Sequence, residues 1–276
     1  MNIVVWVDTE NKQSRIVCES FSNQFTIRNL NEYKEPISDV AIFYGLSEKA
    51  VKLKQDYEDL GLKTVYFDGG FWGRAKYAGD LNGHYKVSIN SYQCEHMIDV
   101  NVPQDRFNDS AIKTKPLKRT TDPILLIGVT IKSSVAYKIE FESWEKEIIK
   151  QIRLYTDRPI IYRQKTSSEK KMSNLGDRIS HQNIETIDQA LDNSSFLVTR
   201  HSNSAIDSLI NGVPFYTEYG LAQKWATPII SIENPIFPSE EERQMILNRA
   251  AYSQWSIKEI RSGEAWNYLR RFCEKS

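Results

Sequence analysis

Between residues 197 and 218 the chain reads LVTRHSNSAIDSLINGVPFYTE. An apolar run gives way to His201, Ser202, Asn203 and Ser204, and then to Ala205, Ile206, Leu209 and Ile210 at helical spacing, closed by Gly212. A parallel strand that ends in a polar turn before a helix delivers backbone N–H groups to the carboxyl edge of a sheet, where open α/β folds bind ligands. The helix start adds unpaired donors and partial positive charge, which suit a phosphate. Ser204 and Asp207 stand at capping-box spacing. Glu218 ends the next strand, and Arg163 and Lys165, in IIYRQK, end a third. Hydroxyls, a helix terminus, two cations and a carboxylate on neighbouring strand ends make a pocket for a nucleoside diphosphate. The cations would take phosphate oxygens and the carboxylate ribose hydroxyls. The same spacing also describes a plain capped helix after a core strand, with His201 a hydrogen-bonded structural residue.

A second group lies in FDGGFWGR, residues 67–74. Asp68 at a strand edge is a candidate general base, and Gly69 and Gly70 let backbone approach a ligand closely. The alternative is an Asp that opens an Asp-Gly turn. Phe71, Trp72 and Tyr77, interleaved with Arg74 and Lys76, suit an unstacked base and its phosphates, or else a core. Lys113, Lys115, Lys118 and Arg119, in KTKPLKRT, would add phosphate contacts, or form a solvated linker.

The elements needed to position these groups are legible as an alternation. Strand patterns appear at NIVVWVD, DVAIFYG, KTVYFDGG and GHYKVSIN, with a helix over SEKAVKLKQDYEDLG that Ser47 caps and Gly61 closes. Residues 39–70 thus read as a strand–helix–strand crossover. Residues 103–123, with prolines and clustered basic side chains, read as a linker. The pattern restarts at PILLIGV. A helix with Phe141, Trp144, Ile148, Ile149 and Ile152 on one face follows, then strands at RPIIYR, SFLVTR, VPFYTE and TPIISI, and helices at IETIDQALDNS and SAIDSLING. The tail from Ser239 to Phe272 is helical in pattern. The fold class is α/β. Two doubly wound, Rossmann-like domains are expected, 1–115 and 116–276, facing across a cleft, the second with a helical C-terminal tail.

The chain has 276 residues with 36 basic against 36 acidic side chains, a balance that holds on both sides of residue 120. No global field draws it to nucleic acid or an anionic membrane, so a nucleic-acid partner must be held by a local patch. Cys18, Cys94 and Cys273 are far apart and odd in number, which fits a reducing cytoplasm. There is no signal-peptide pattern and no membrane-spanning run. The Walker, dinucleotide, nucleophile-elbow and zinc-protease motifs are absent, and GVTIKSS lacks the second glycine of a phosphate loop. Cys94, Glu95 and His96 supply too few groups for a metal, and no Asp-x-Asp pair occurs. No metal site and no tightly bound cofactor are assigned, and metal dependence stays open.

The stretch TRHSNSAIDSLINGVPFYTE resembles the H-S-x-x-x-x-x-A/S-L-x-x-G-x-P pattern in the donor domain of glycosyltransferases with two Rossmann-like domains, the GT-B architecture; the likeness spans roughly residues 122–235. RAAYSQWSIKEIRSGEAWNYL and FDGGFWGRAKYAGDLNGHYKVSIN resemble a bacteriophage family associated with glycosylating modified DNA bases. The resemblance implies a nucleotide-sugar donor, with UDP the expected nucleotide. It puts His201, Ser202, Asn203 and Ser204 at the donor phosphates and Glu218 at the ribose. Arg163 and Lys165 have no counterpart and rest on the strand-end argument. The implied acceptor is the hydroxyl of a hydroxymethylated pyrimidine in double-stranded DNA, with no membrane partner. The alternatives are polysaccharide synthesis, nucleotide-sugar epimerisation, or nucleotide or DNA binding without catalysis.

Overall fold

The structure is a computed structural model that describes residues 1–77, 79–118, 123–164, 175–181 and 186–274. Arg119 and Lys165 lie outside the described residues. Two compact units divide the chain: Met1–Val102 with Arg249–Ser276, and Pro103–Asn248.

The first unit begins with β1 (Ile3–Val7), α1 (Lys12–Glu19), β2 (Thr26–Asn29), β3 (Val40–Tyr44), α2 (Glu48–Asp59), β4 (Lys63–Gly69) and β5 (His84–Ile89). The second holds α3 (Asp105–Asp109), β6 (Ile124–Ile127), α4 (Ile131–Ala136), α5 (Ser143–Arg153), β7 (Ile160–Arg163), β8 (Ile179–His181), α6 (Ile187–Asp192), β9 (Phe196–Thr199), α7 (Ser204–Asn211) and β10 (Phe215–Thr217). Helix α8 (Glu240–Tyr252) carries the chain back, and β11 (Gln254–Ser256), α9 (Ile257–Ser262) and α10 (Glu264–Leu269) complete the first unit.

The first sheet has the order β11-β5-β4-β3-β1-β2. β2, β1, β3 and β4 run parallel, whereas β5 is antiparallel to β4 and β11 antiparallel to β5. Alternate residues of β1, β3 and β4 (Val5, Val7, Val40, Ile42, Val65, Phe67) join Val17 and Phe21 and the tail residues Ile257, Ile260, Trp266 and Leu269 in one core. The expected crossover over 39–70 is present. Ser47 Oγ accepts the Ala50 N–H (3.4 Å), and Gly61 ends the helix at φ +66°.

The second sheet is wholly parallel, in the order β10-β9-β6-β7-β8. Its central strands β6 and β9 are apolar runs buried on both faces, as such sheets require, while the edge strand β8 is largely exposed. Trp144, Ile148, Ile149 and Ile152 of α5 pack on Ile124, Leu126, Tyr162, Phe196 and Val198, as the helical stripe requires. Phe141 falls just outside that helix and is only partly buried.

Three expectations are corrected. The tail is not the end of the second domain: β11 interrupts it by pairing with β5, and its apolar faces fill the first core. Residues 103–115 belong to the second unit rather than the first. They are no free linker, because the Lys115 N–H donates to Ile210 O (2.8 Å) and the buried Arg243 ties Lys115 O, Leu209 O and Ile210 O together. TPIISI forms a 3-10 turn at Ile229–Ser231, with Ile229 buried and Ile230 66% exposed, instead of a strand.

Candidate functional site

Strands β9 and β7 flank β6 in register, so Thr199 and Arg163 sit level with Ile127 at the carboxyl edge of the second sheet. The turn after β9 carries His201, Ser202 and Asn203 into α7. The Ser204 capping box does not form. Asn203 already has helical dihedrals (φ −54°, ψ −20°) and makes no side-chain cap, so capping moves back one residue further. Ser202 Oγ accepts the Ser204 N–H (3.3 Å) and shares a hydrogen bond with Ser204 Oγ (2.9 Å). Ala205 N–H donates to Ser202 O, and the Ile206 and Asp207 N–H groups donate to Asn203 O. The first-turn amides are thus engaged within the turn, and an anion here falls to side chains.

Arg200 is the most constrained of these side chains. It follows β9 directly, and its carbonyl accepts the Glu218 N–H (3.1 Å), the Tyr219 N–H (3.0 Å) and Thr217 Oγ1–H (3.2 Å). Its guanidinium lies against the neighbouring rings of Tyr137 (4.9 Å) and Tyr219 (4.8 Å) and pairs through Nε with Glu218 Oε2 at 3.0 Å. The other Glu218 oxygen accepts Trp144 Nε1–H from α5. Both carboxylate oxygens proposed for the ribose are therefore already engaged, and the Tyr216 hydroxyl donates to the same carboxylate. Tyr137 also stacks on His201, with centroids 4.5 Å apart and ring planes 31° from parallel. His201 is buried (4% exposed) in this aromatic cluster.

The loop from β6 to α4, read in the sequence as a failed phosphate loop, reaches the same sheet edge. Thr130 caps α4 by accepting the Ser133 N–H (3.0 Å), and its hydroxyl bonds Ser133 Oγ (2.8 Å). Buried Glu145 accepts the Val129 N–H (2.7 Å) and holds the loop from beneath. Gly128 is obligatory there: a Cβ would lie 2.0 Å from the Tyr162 hydroxyl. Arg163, partly buried at the end of β7, has its guanidinium held below the usual range by burial, opposed by Asp207 in the first turn of α7. Its Nη1 is buried without a hydrogen-bond partner among the described residues.

In the first unit, Asp68 lies inside β4, opposite Lys86 of β5, and is not part of a turn. Its carboxylate is 41% exposed, accepts the Gly69 N–H at 2.8 Å and stands 3.9 Å from the buried Lys86 ammonium, which also donates to Gln93 Oε1 (2.6 Å). Residues 70–74 are pinned. Gln254 Oε1 of β11 accepts the Phe71 and Trp72 N–H groups, and Arg74 Nε–H donates to Gly70 O (2.6 Å). Phe71 is buried beneath Lys86 (7% exposed), which removes it from the surface available to a base. Trp72 is partly buried, and Arg74, Lys76 and Tyr77 are exposed.

The linker lysines sit elsewhere. Lys115 pairs with Asp192 (2.7 Å), and Lys118 donates to the carbonyls of Asp192 and Ser194, just before β9 begins. That is the amino edge of the second sheet, the opposite end from His201. Lys113 is exposed. Among the described residues no group of three or more His, Cys, Asp or Glu side chains is arranged to hold a metal ion.

Arg200, Tyr137, Tyr219 and Thr130 were not singled out from the sequence. An arginine and a glutamate each directly after a strand end, at 200 and 218, is the signal that would have found the pair.

No protein-family model matches the sequence, and no curated protein matches it. Solved structures do. A Thermosulfurimonas dismutans KpsC beta Kdo 2,7 transferase matches with TM-score 0.55 at 12% identity, over 99% of this chain and 100% of that one. The beta Kdo 2,4 transferase of KpsC from the same organism matches with TM-score 0.53 at 12% identity, over 93% and 92%. The fold is GT-B-like. At this identity the likeness fixes the architecture expected from the sequence and leaves the chemistry to the residues.

Proposed function

We propose that this chain is a glycosyltransferase that moves a sugar from a nucleotide-activated donor, UDP-linked in the first instance, to a hydroxyl acceptor. The observation that supports it best is the convergence of Arg200, Glu218, His201, Ser202 and Thr130 on one carboxyl sheet edge of a GT-B-like fold. In this reading His201, Ser202, Asn203, Ser204 and Arg163 contribute to the donor site, Glu218 faces the ribose with its remaining acceptor capacity, and Asp68 acts in acceptor activation. The acceptor hydroxyl gives its proton to Asp68 as its oxygen bonds the anomeric carbon, and the nucleotide leaves with the bonding electrons.

The acceptor we propose first is the hydroxyl of a hydroxymethylated pyrimidine in phage DNA, contacted through Trp72, Arg74, Lys76 and Lys113. The exposed Arg74 and Lys76 beside the partly buried Trp72 support it. The second reading is a saccharide acceptor. It is favoured by electrical neutrality, by the engagement of Lys115 and Lys118 within the second unit, and by the Kdo transferases that share the fold. Mass spectrometry of nucleosides from hydroxymethylated DNA co-expressed with the protein separates them: added sugar mass supports the first, and transfer to a free saccharide without DNA supports the second. Hydrolysis or transfer of no nucleotide sugar with either acceptor removes the enzyme reading. Asp68→Asn should lower transfer by roughly a hundredfold or more while donor binding is kept. Near-normal turnover would exclude Asp68 as the base.

A further inference from the structure

We infer that Arg200 is the residue that takes the phosphate oxygens of the nucleotide, ahead of the α7 amides; this rests on the donor reading above. The argument starts from what the guanidinium lacks. Its side chain is 9% exposed, and its Nε–H is committed to Glu218 Oε2 at 3.0 Å. Nη1 is buried and has no hydrogen-bond partner among the described residues. A buried donor on a permanent cation is costly to leave without an acceptor. Glu218 is not free to swing across and supply one, since Trp144 Nε1 holds its other oxygen.

The mounting is rigid. Three donors from Thr217, Glu218 and Tyr219 hold the Arg200 carbonyl, and the guanidinium rests against the adjoining rings of Tyr137 and Tyr219, whose centroids are 5.4 Å apart. Ordering is therefore complete before a ligand arrives, which favours a fork-shaped contact to an oxyanion with two acceptor oxygens. The position follows β9 at the carboxyl sheet edge, beside the Ser202 and Ser204 hydroxyls. The amides of residues 204–207, which would otherwise receive the phosphate, are engaged in the turn.

The test is calorimetric titration of the whole protein with the four ribonucleoside diphosphates and their parent nucleosides, for wild type and R200Q. The diphosphate Kd of R200Q should rise roughly tenfold to a hundredfold, with nucleoside affinity unchanged. Equal weakening of both ligands, or no weakening, overturns the assignment and leaves the donor reading standing. If wild type binds no nucleotide, the donor reading itself falls and takes this inference with it. Should R200Q not fold, the guanidinium nitrogen resonances of wild type decide. A shift of the Arg200 Nη signals on adding the diphosphate but not the nucleoside supports the contact, and their constancy refutes it.

Discussion

Glu218 holds a cation and an indole N–H at once, and the charge matters more than the hydrogen bonds. Glu218→Gln keeps an acceptor for Trp144 but leaves Arg200 buried without its counter-charge. Because Glu218 is 27% exposed, water softens the loss, and a destabilisation of about 1–3 kcal/mol is expected in urea denaturation. A loss below about 0.5 kcal/mol would show that the Arg200 charge is compensated without Glu218. His96, in the first unit, makes a different prediction. Burial, with a smaller contribution from Arg271, pushes its imidazole down from 6.5 to about 3, and its Nδ1 accepts the Ile89 N–H. The folded state keeps it neutral while the unfolded chain takes a proton below its ordinary value. Stability from this group is therefore complete above about pH 6.5 and lost as pH falls. Between pH 7 and 5 the loss is about 1–2 kcal/mol. His96→Gln, which retains an acceptor, should flatten the urea midpoint over that range relative to wild type. Parallel profiles for the two proteins would rule His96 out as the source.

Helix α7 shows how an element carries a site and how much of it sequence reveals. Its apolar spacing and terminal Gly212 are plain in the sequence, and Gly212 does adopt φ +69°. The reason only glycine fits is tertiary: a Cβ there would lie 2.1 Å from the carbonyl oxygen of Pro116. Gly212→Ala should cost about 2–4 kcal/mol, from left-handed backbone plus overpacking, read as a lowered thermal midpoint. A midpoint equal to wild type would mean that residues 115–118 can move aside. The amino end was misread because Asn203 is already helical, which spacing cannot show. Helix α1 was missed altogether: it is one short amphipathic segment, capped by Asn11 with no acidic first turn. The central strands β6, β7 and β9 were easy because buried parallel strands are continuous apolar runs, whereas β8, a short Ile-Ser-His edge strand, was missed. Arg200 and the tyrosines beside it escaped because no local period marks residues that meet from two strand ends and the end of a helix.

At the scale of the whole molecule the decisive feature is the return of the chain. β5 runs against its neighbour and would leave an open edge; β11 covers it, and Trp255, Ile257, Ile260, Trp266 and Leu269 close the core beneath. The tail therefore matters to the first unit although it follows the second in sequence. It also reaches the loop with the proposed acceptor contacts, because Gln254 Oε1 takes the Phe71 and Trp72 N–H groups. A truncation and a point substitution separate these effects. Removing residues 253–276 strips the core of one whole layer, and limited proteolysis should then cut first within residues 1–102, while the 103–248 unit stays resistant. Gln254→Leu leaves that layer in place and frees the buried Phe71 and part-buried Trp72 amides, so the 70–74 loop should exchange its amide hydrogens faster. Transfer should then fall through a raised acceptor KM, with donor Kd unchanged. A truncated protein whose first unit resists protease as well as wild type would refute the assignment of the tail to that unit. A Gln254→Leu protein with altered donor Kd and an unaltered acceptor KM would detach the loop from acceptor binding.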